Sequence, residues 1–213
     1  KIDRLEEAEE CYRDAIKLDS DSAEFHGGLG IILQGLSKFK EAELSFKRAI
    51  ELNPTAFKFH LGFGKMLQEL NRFEDAEVSY REAILFKPCL PGAHYNLAIT
   101  LQELGRLEEA VASYREAITV SSDFTEAHYN LGNVLRRLGK LEEAEKSYKQ
   151  AIILKPDFEE AYNNLGGALT ELGRLQEAET SLRKAIELKP DFSDAHCNLG
   201  VLFYVVRKYD QAL

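Results

Sequence analysis

The sequence repeats itself every 34 residues, which is the separation between Ala42 and Ala76. When the 213-residue chain is shifted by this period it matches itself, and no insertion or deletion breaks the register. Two of the recurring series are alanine and a third is mostly aromatic: Ala8, Ala42, Ala76, Ala110, Ala144, Ala178 and Ala212; Ala15, Ala49, Ala83, Ala117, Ala151 and Ala185; and Tyr12, Phe46, Tyr80, Tyr114, Tyr148 and Leu182. A period of this length predicts a stack of small units that bury their apolar faces against their neighbours.

These three series fix the boundaries of the repeat. We number its positions 1–34, so that the first alanine series occupies position 20, the aromatic series position 24 and the second alanine series position 27. Full repeats then cover residues 23–56, 57–90, 91–124, 125–158 and 159–192. Half a repeat covers residues 1–22 and a truncated repeat covers residues 193–213. We therefore expect one array over the whole chain.

Each repeat is predicted to form two helices. In the repeat that begins at Thr125, apolar residues recur with helical spacing on both sides of Gly139. Gly139 can adopt the positive φ of a helix C-cap. The equivalent positions hold Asn71, Gly105 and Gly173. At the start of the next repeat, Asp157 followed by Glu160 fits a capping box at a helix N-terminus.

Small residues at one further position complete a recognisable pattern. Position 8 is always glycine or alanine: Gly30, Gly64, Ala98, Gly132, Gly166 and Gly200. With the alanines of positions 20 and 27, the large residue of position 24 and a frequent proline at position 32, this pattern resembles the tetratricopeptide repeat over essentially the whole chain. The resemblance implies an all-α, right-handed superhelical solenoid of antiparallel helix pairs. It also implies that the first helices of the repeats line a concave groove that binds another protein.

The net charge limits the classes of partner, and the cysteine content bears on the location of the protein. The chain has 36 acidic and 27 basic residues and a net charge of −9, which disfavours binding to nucleic acid or to an anionic membrane surface. No apolar run approaches the roughly 20 residues that span a bilayer. The three cysteines, Cys11, Cys89 and Cys197, form no CxxC pair, which favours a reducing, cytoplasmic location.

Asparagine recurs at position 6 of four successive repeats, as Asn96, Asn130, Asn164 and Asn198. Helical periodicity places this position on the side of the first helix that faces away from its own core. A side-chain amide offers both a donor and an acceptor, so a row of amides suits the backbone of an extended polypeptide. The row resembles that in the repeat array of the O-linked N-acetylglucosamine transferase family. Alternatively, asparagine is simply a frequent residue in bacterial-type repeats.

Neighbouring residues on the same side of the first helices are candidates for selectivity. They are Tyr95, Gln102, Glu103, Tyr129, Asn133, Arg136, Arg137 and Asn163. Tyr95 and Tyr129 are the expected anchors, because aromatic side chains dominate binding hot spots, although packing between repeats is an equal alternative. The first two full repeats have Gly28 and Gly62 at position 6, so the row is expected to begin at Asn96. Core packing is the preferred interpretation of Phe59, Leu61 and Phe63, and a more apolar end of the surface is the alternative.

Catalytic and metal sites are not expected. All five histidines occupy position 4 and are interpreted as packing residues: His26, His60, His94, His128 and His196. Equivalent helices lie too far apart for their histidines to share one metal ion through bonds of about 2 Å. The sequence has neither a phosphate-binding loop nor a nucleophile motif, so we expect no enzyme activity and no cofactor.

Three functions remain open at this stage. The preferred one is a scaffold that binds an extended segment of another protein in the groove. The second is the substrate-recruiting array of a larger glycosyl- or sulfotransferase whose catalytic domain lies outside this chain. The third is self-association through uncapped ends of the array, where Leu202, Phe203 and Val206 are expected to form an incompletely covered apolar face. The fold by itself names no partner.

Overall fold

The predicted all-α architecture is confirmed. The structure is a computed structural model that describes residues 2–210, so that Ala212 of the first alanine series lies outside the described residues. Within that range the chain forms twelve α-helices and no strand. They are α1 Ile2–Leu18, α2 Ala23–Gly35, α3 Phe39–Leu52, α4 Phe57–Glu69, α5 Phe73–Phe86, α6 Pro91–Glu103, α7 Leu107–Val120, α8 Thr125–Arg137, α9 Leu141–Leu154, α10 Glu159–Glu171, α11 Leu175–Leu188 and α12 Ser193–Asp210.

The helices divide into two compact units. Unit 1 is Lys1–Arg106 and contains α1 to α6, and unit 2 is Leu107–Leu213 and contains α7 to α12. In unit 1, α2 packs against α3 and also contacts α4, the first helix of the next repeat. In unit 2, α8 packs against α9 and α10 in the same way. Each unit is therefore a stack of helix pairs in which neighbouring first helices also touch.

The recurring small and large residues form the core of both units. The alanines of positions 20 and 27 are fully buried from Ala42 to Ala185, and so is every position-24 side chain from Phe46 to Leu182. Glycine at position 8 makes room for the position-24 ring. A Cβ atom on Gly132 would lie 2.6 Å from Cε1 of Tyr148, far inside van der Waals contact. The period in the sequence is thus a packing period.

The helix C-termini behave as predicted, whereas the N-termini do not. Gly139 has φ +72°, and the N–H group of Lys140 donates a 2.9 Å hydrogen bond to the carbonyl of Leu135, as in a Schellman motif. Asn71, Gly105 and Gly173 also have positive φ. The capping box was wrong, because the N-cap of α10 is Phe158 and it makes no side-chain cap bond. Asp157 lies one residue too early to cap the helix.

The position-4 histidines tie each first helix to the loop before it. In each case Nε2 lies within hydrogen-bond distance of a backbone carbonyl six residues earlier: Ser20, Pro54, Pro88, Ser122 and Pro190. Because a carbonyl only accepts, the Nε2 atom carries the proton that is donated. The shortest of these contacts, 2.7 Å, joins the buried His60 to Pro54. His60 is buried, as the predicted packing role requires, whereas His196 is exposed and only makes the hydrogen bond.

Within each unit, recurring ion pairs join a second helix to position 16 of the next repeat, in the turn between its two helices. Glutamate at position 21 contacts a cation in the next repeat at 2.5–2.8 Å; the pairs are Glu9–Lys38, Glu43–Arg72, Glu77–Arg106 and Glu145–Arg174. Burial alone would raise the pKa of Glu145, but hydrogen bonds from Lys149 and Arg174 outweigh it and hold the pKa below its usual value. In unit 2 the series of pairs is interrupted at the buried Val111, which occupies the glutamate position.

Candidate protein-binding surface

The predicted binding residues are distributed over both units. Asn96 lies on α6 of unit 1 with Tyr95 and Gln102, and all three are half-buried. Asn130, Asn164 and Asn198 lie on the three first helices of unit 2, α8, α10 and α12. We define the amide face as the surface of unit 2 formed by Tyr129, Asn130, Asn133, Asn164 and Asn198.

Side-chain hydrogen bonds connect the amide face across helices α8 and α10. Nδ2 of Asn164 donates to the hydroxyl oxygen of Tyr129 at 3.0 Å and to Oδ1 of Asn133 at 2.9 Å. Oδ1 of Asn133 accepts a second bond, of 2.9 Å, from the hydroxyl of Tyr148. Tyr148 is the position-24 core residue of the same repeat, so the face is anchored directly to the core.

The network continues to α12 through a buried asparagine. Nδ2 of Asn163 donates to Oδ1 of Asn164 at 3.1 Å, and Nδ2 of Asn198 donates to Oδ1 of Asn163 at 2.8 Å. Asn164 therefore uses both amide hydrogens internally and keeps one acceptor site on Oδ1. Asn198 keeps one amide hydrogen and its Oδ1, since it has no further partner among residues 2–210. These two asparagines offer different groups to a ligand.

The expectation that Asn163 belongs to the open groove was wrong. Only 5% of this residue is exposed, and its amide is bonded to Asn164 and to Asn198 on the next first helix, α12. Unit 1 shows the same geometry, since a Cβ atom on Gly27, at position 5, would lie 2.2 Å from Cε1 of Phe59 on the next first helix. Phe59 is 4% exposed, which confirms its predicted core packing.

Position 6 has a different role in the first two full repeats. A Cβ atom on Gly28 would lie 2.5 Å from the ring of Tyr12, and one on Gly62 would lie 2.8 Å from the ring of Phe46. In both cases a position-24 ring occupies the space beside the first helix in which a side chain would otherwise sit. At the first two sites of the row, in unit 1, an aromatic ring therefore fills the space of the side chain, and an amide cannot be accommodated.

The tyrosines of the amide face are neutral hydrogen-bonding groups. Burial raises the pKa of the Tyr148 hydroxyl well above its ordinary value. Burial also raises the pKa of Tyr129, although hydrogen bonds with Asn133 and Asn164 partly oppose the shift. The Tyr129 ring packs against Phe158, with ring centroids 4.8 Å apart. The network is therefore uncharged at neutral pH and its geometry is fixed by packing.

A family comparison identifies the chain on which this surface lies. The family model for the tetratricopeptide repeat matches residues 1–57, 29–94, 95–157, 129–192 and 165–213, which together span the sequence. The chain belongs to the tetratricopeptide repeat family. No curated protein sequence matches it significantly.

Solved structures share this tetratricopeptide fold. YrrB, a tetratricopeptide protein with an unusual peptide-binding site, is 22% identical with a TM-score of 0.79, and the match covers 88% of this chain and 97% of YrrB. MamA is 24% identical with a TM-score of 0.74, over 76% of this chain and 95% of MamA. TTC0263, a thermophilic tetratricopeptide protein of Thermus thermophilus, is 24% identical with a TM-score of 0.59, over 86% of this chain and 100% of its own. At this level of identity the likeness establishes the fold.

A pocket of about 350 Å³ opens beside the amide face of this tetratricopeptide chain. It is lined by Asn133, Arg136, Arg137, Tyr148 and Glu171. Nε and Nη2 of Arg136 both contact Oε1 of Glu171, at 2.8 and 2.6 Å. The Arg136 guanidinium also lies against the backbone of Gly167, where a Cβ atom would be 2.9 Å from Nη2. Glu171 and Tyr148 were not predicted as site residues, because each reaches the pocket from another helix.

The described part of the chain shows neither a metal cluster nor a membrane span. Across residues 2–210, no three histidine, cysteine, aspartate or glutamate side chains gather in a way that could hold a metal ion. Among the same residues, no helix of this tetratricopeptide chain combines the length and the apolar character needed to cross a bilayer.

The apolar face expected near the end of α12 needs one correction. Leu202 is fully buried, whereas Phe203 is 46% exposed and Tyr204 is 62% exposed.

Proposed function

We propose that this protein is a non-catalytic scaffold that holds an extended segment of another protein on the amide face of unit 2. The observation that carries the proposal is the bonded row of Asn133, Asn164 and Asn198 on three successive first helices, linked through Asn163. An extended backbone presents peptide donors and acceptors that side-chain amides can pair with. YrrB, a protein of similar fold, has a peptide-binding site, which supports a peptide as the ligand here.

The internal network lowers the entropic cost of binding. Each amide hydrogen bond contributes only about 0.5–1.5 kcal/mol net, while association and ordering cost about 4–15 kcal/mol. Asn164 and Tyr129 are already held by their mutual bond, so little side-chain freedom remains to be lost when a peptide docks. Asn198 offers a donor and an acceptor, and Asn164 offers an acceptor. A bound segment therefore donates a peptide N–H group to Asn164. With Asn198 it both donates an N–H group and accepts a hydrogen bond at a peptide carbonyl.

The other two hypotheses make different use of the same chain. A substrate-recruiting array of a larger transferase would use the amide face in the same manner, with the bound segment as its substrate. Self-association would instead use the exposed Phe203 and Tyr204 on α12. Binding of an extended peptide to the amide face therefore separates the first two hypotheses from the third.

The test is selection of a random-peptide display library on three forms of the protein. The first is the unaltered chain, and the second carries alanine at Asn96, Asn130, Asn164 and Asn198. The third is a matched control with alanine at four exposed residues of second helices: Thr119, Glu142, Lys146 and Thr180. We expect enriched peptides to bind the unaltered chain and the control but not the amide variant. Equal binding to all three forms, or no enrichment on any of them, would refute the proposal. Circular dichroism verifies that all three are folded.

A further inference from the structure

The pocket beside the amide face contains two guanidinium groups. Among the described residues, one forms an ion pair with a carboxylate and the other does not. Arg136 is fixed by Glu171 and by the backbone of Gly167. Arg137, the next residue, lines the same pocket and is exposed. Within the part of the chain that the structure describes, Arg137 makes neither an ion pair nor a side-chain hydrogen bond. The pocket thus has one cation without an anionic partner.

The charge of the pocket is opposite to that of the protein. Two arginines and one glutamate line it, which leaves a net charge of +1 there, whereas the whole chain carries −9. The other lining groups, the Asn133 amide and the Tyr148 hydroxyl, are neutral, and Oδ1 of Asn133 already accepts the Tyr148 proton. Cations are therefore disfavoured in the pocket, and an anionic group from a partner is favoured.

The chemistry of the pocket matches a carboxylate. A planar guanidinium presents parallel N–H donors that fit the two oxygens of a carboxylate. Glu171 shows that a carboxylate is held beside a guanidinium in this pocket, since its Oε1 atom lies 2.8 Å from Nε and 2.6 Å from Nη2 of Arg136. Arg137 provides the same donors beside it and leaves them to solvent. The volume of about 350 Å³ is sufficient for an acidic side chain or for a chain terminus.

We propose that Arg137 and this pocket select a carboxylate on the polypeptide that the amide face holds. The inference rests on the proposed function, and it adds a requirement on the sequence of the partner. The carboxylate comes either from an aspartate or glutamate side chain or from a free C-terminus. Asn133 borders both the amide face and the pocket, so the carboxylate lies next to the backbone segment that the amides bind.

The test measures the affinity of peptides selected on the unaltered chain. Each peptide is synthesised in its parent form, with each acidic residue replaced singly by its amide, and with an amidated C-terminus. Binding is measured by fluorescence anisotropy to the unaltered protein, to Arg137→Gln and to Lys146→Gln. Lys146 is an exposed lysine on α9 outside the pocket, so its substitution matches the change in charge.

The proposal expects one carboxylate to matter and to couple with Arg137. Neutralising that carboxylate weakens binding to the unaltered protein by about tenfold and has little further effect on Arg137→Gln. The replacement that causes the loss distinguishes a side-chain acid from a C-terminus. The Lys146→Gln protein behaves as the unaltered chain does. Arg137 makes no ion pair and no side-chain hydrogen bond among residues 2–210, so its substitution leaves the melting temperature unchanged.

Three outcomes overturn the inference. Peptides that bind the amide face with no dependence on any carboxylate show that the pocket plays no part, while the scaffold function stands. Equal losses with Arg137→Gln and Lys146→Gln show that only the overall charge matters, and again the scaffold function stands. The absence of peptide binding to any form removes both the inference and the proposed function.

Discussion

Nδ2 of Asn164 lies 2.9 Å from Oδ1 of Asn133, which is 31 residues earlier on the neighbouring first helix. This bond joins two repeats through side chains that, on the sequence alone, belong to the binding surface. It shows that part of the hydrogen-bonding capacity of the row is used to fix the row itself. The amide face is thus at once a structural contact between repeats and a surface with unused polar groups.

The Asn133–Asn164 bond is expected to contribute to stability. Asn164→Ala removes three side-chain bonds, two from the half-buried Tyr129 and Asn133 and one from the buried Asn163, and is predicted to lower the free energy of unfolding by about 1–3 kcal/mol. Asn198→Ala removes one bond and should lower it by less than about 1.5 kcal/mol. Urea denaturation measures both. A double-mutant cycle of Asn133→Ala with Asn164→Ala should give a coupling of about 0.5–1.5 kcal/mol, and strict additivity would show that water replaces the bond.

The Phe59 ring packs so closely against Gly27 that we expect no larger residue to replace this glycine without loss of stability. Gly27→Ala would place Cβ 2.2 Å from the Phe59 ring and is predicted to destabilise the protein by about 1–3 kcal/mol through overpacking. In the background of Phe59→Ala, which opens that space, the same substitution should become neutral or stabilising. Gly92→Ala is the matched control, because nothing lies within 4 Å of the added atom. Thermal unfolding distinguishes the cases, and an equal cost of Gly27→Ala in both backgrounds would contradict the packing argument.

The Glu145 ion pairs predict a dependence of stability on pH. The pKa of Glu145 is lowered in the folded state, because Lys149 and Arg174 outweigh its burial. A lowered carboxyl pKa stabilises the fold above the unfolded pKa of about 4.5, and the contribution is lost as pH falls through the folded pKa. Glu145→Gln should therefore lower stability by about 1–2 kcal/mol at pH 7. The difference from the unaltered protein should shrink below about pH 4.5.

The matched control for Glu145 is an exposed glutamate of the same helix. Glu142 is exposed at the start of α9, and Glu142→Gln makes the same change in charge. Its effect on the free energy of unfolding should stay within about 0.5 kcal/mol at every pH. Chemical denaturation between pH 3 and pH 7 measures both variants. A Glu145→Gln deficit that persisted unchanged at pH 3 would show that lost packing, and not lost charge, is responsible.

The histidine bond to the preceding loop is expected to be strongest where it is buried. His60→Phe keeps an aromatic ring beside Phe86, whose centroid lies 5.6 Å from that of His60, but removes the 2.7 Å bond to the Pro54 carbonyl. We expect a loss of about 1–2 kcal/mol in the free energy of unfolding, because the carbonyl loses its partner in a buried site. His196→Phe is the control, since His196 is exposed and water can replace its bond to Pro190. Equal effects of the two substitutions on the urea midpoint would contradict this explanation.

The sequence by itself determined the periodic features of this protein. The spacing of Ala144, Tyr148 and Ala151 within one helix, which recurs in every full repeat, specifies which side chains meet inside a helix pair and leads to the all-α fold. Gly139 marks a helix end, because the positive φ required there is a local property of the chain. These features depend on residues that lie close together in one repeat, and helical geometry relates them directly.

Only the tertiary structure decided how side chains of one repeat meet those of the next. Arg136 and Arg137 are adjacent and alike in the sequence, yet one is bound to Glu171 on α10 and the other is left to solvent. Asn163 and Asn164 are also adjacent, and one is buried while the other reaches the amide face. Successive helical residues point about 100° apart, so the contact between neighbouring helices determines which of the two is covered. The periodicity of a single helix does not predict that contact.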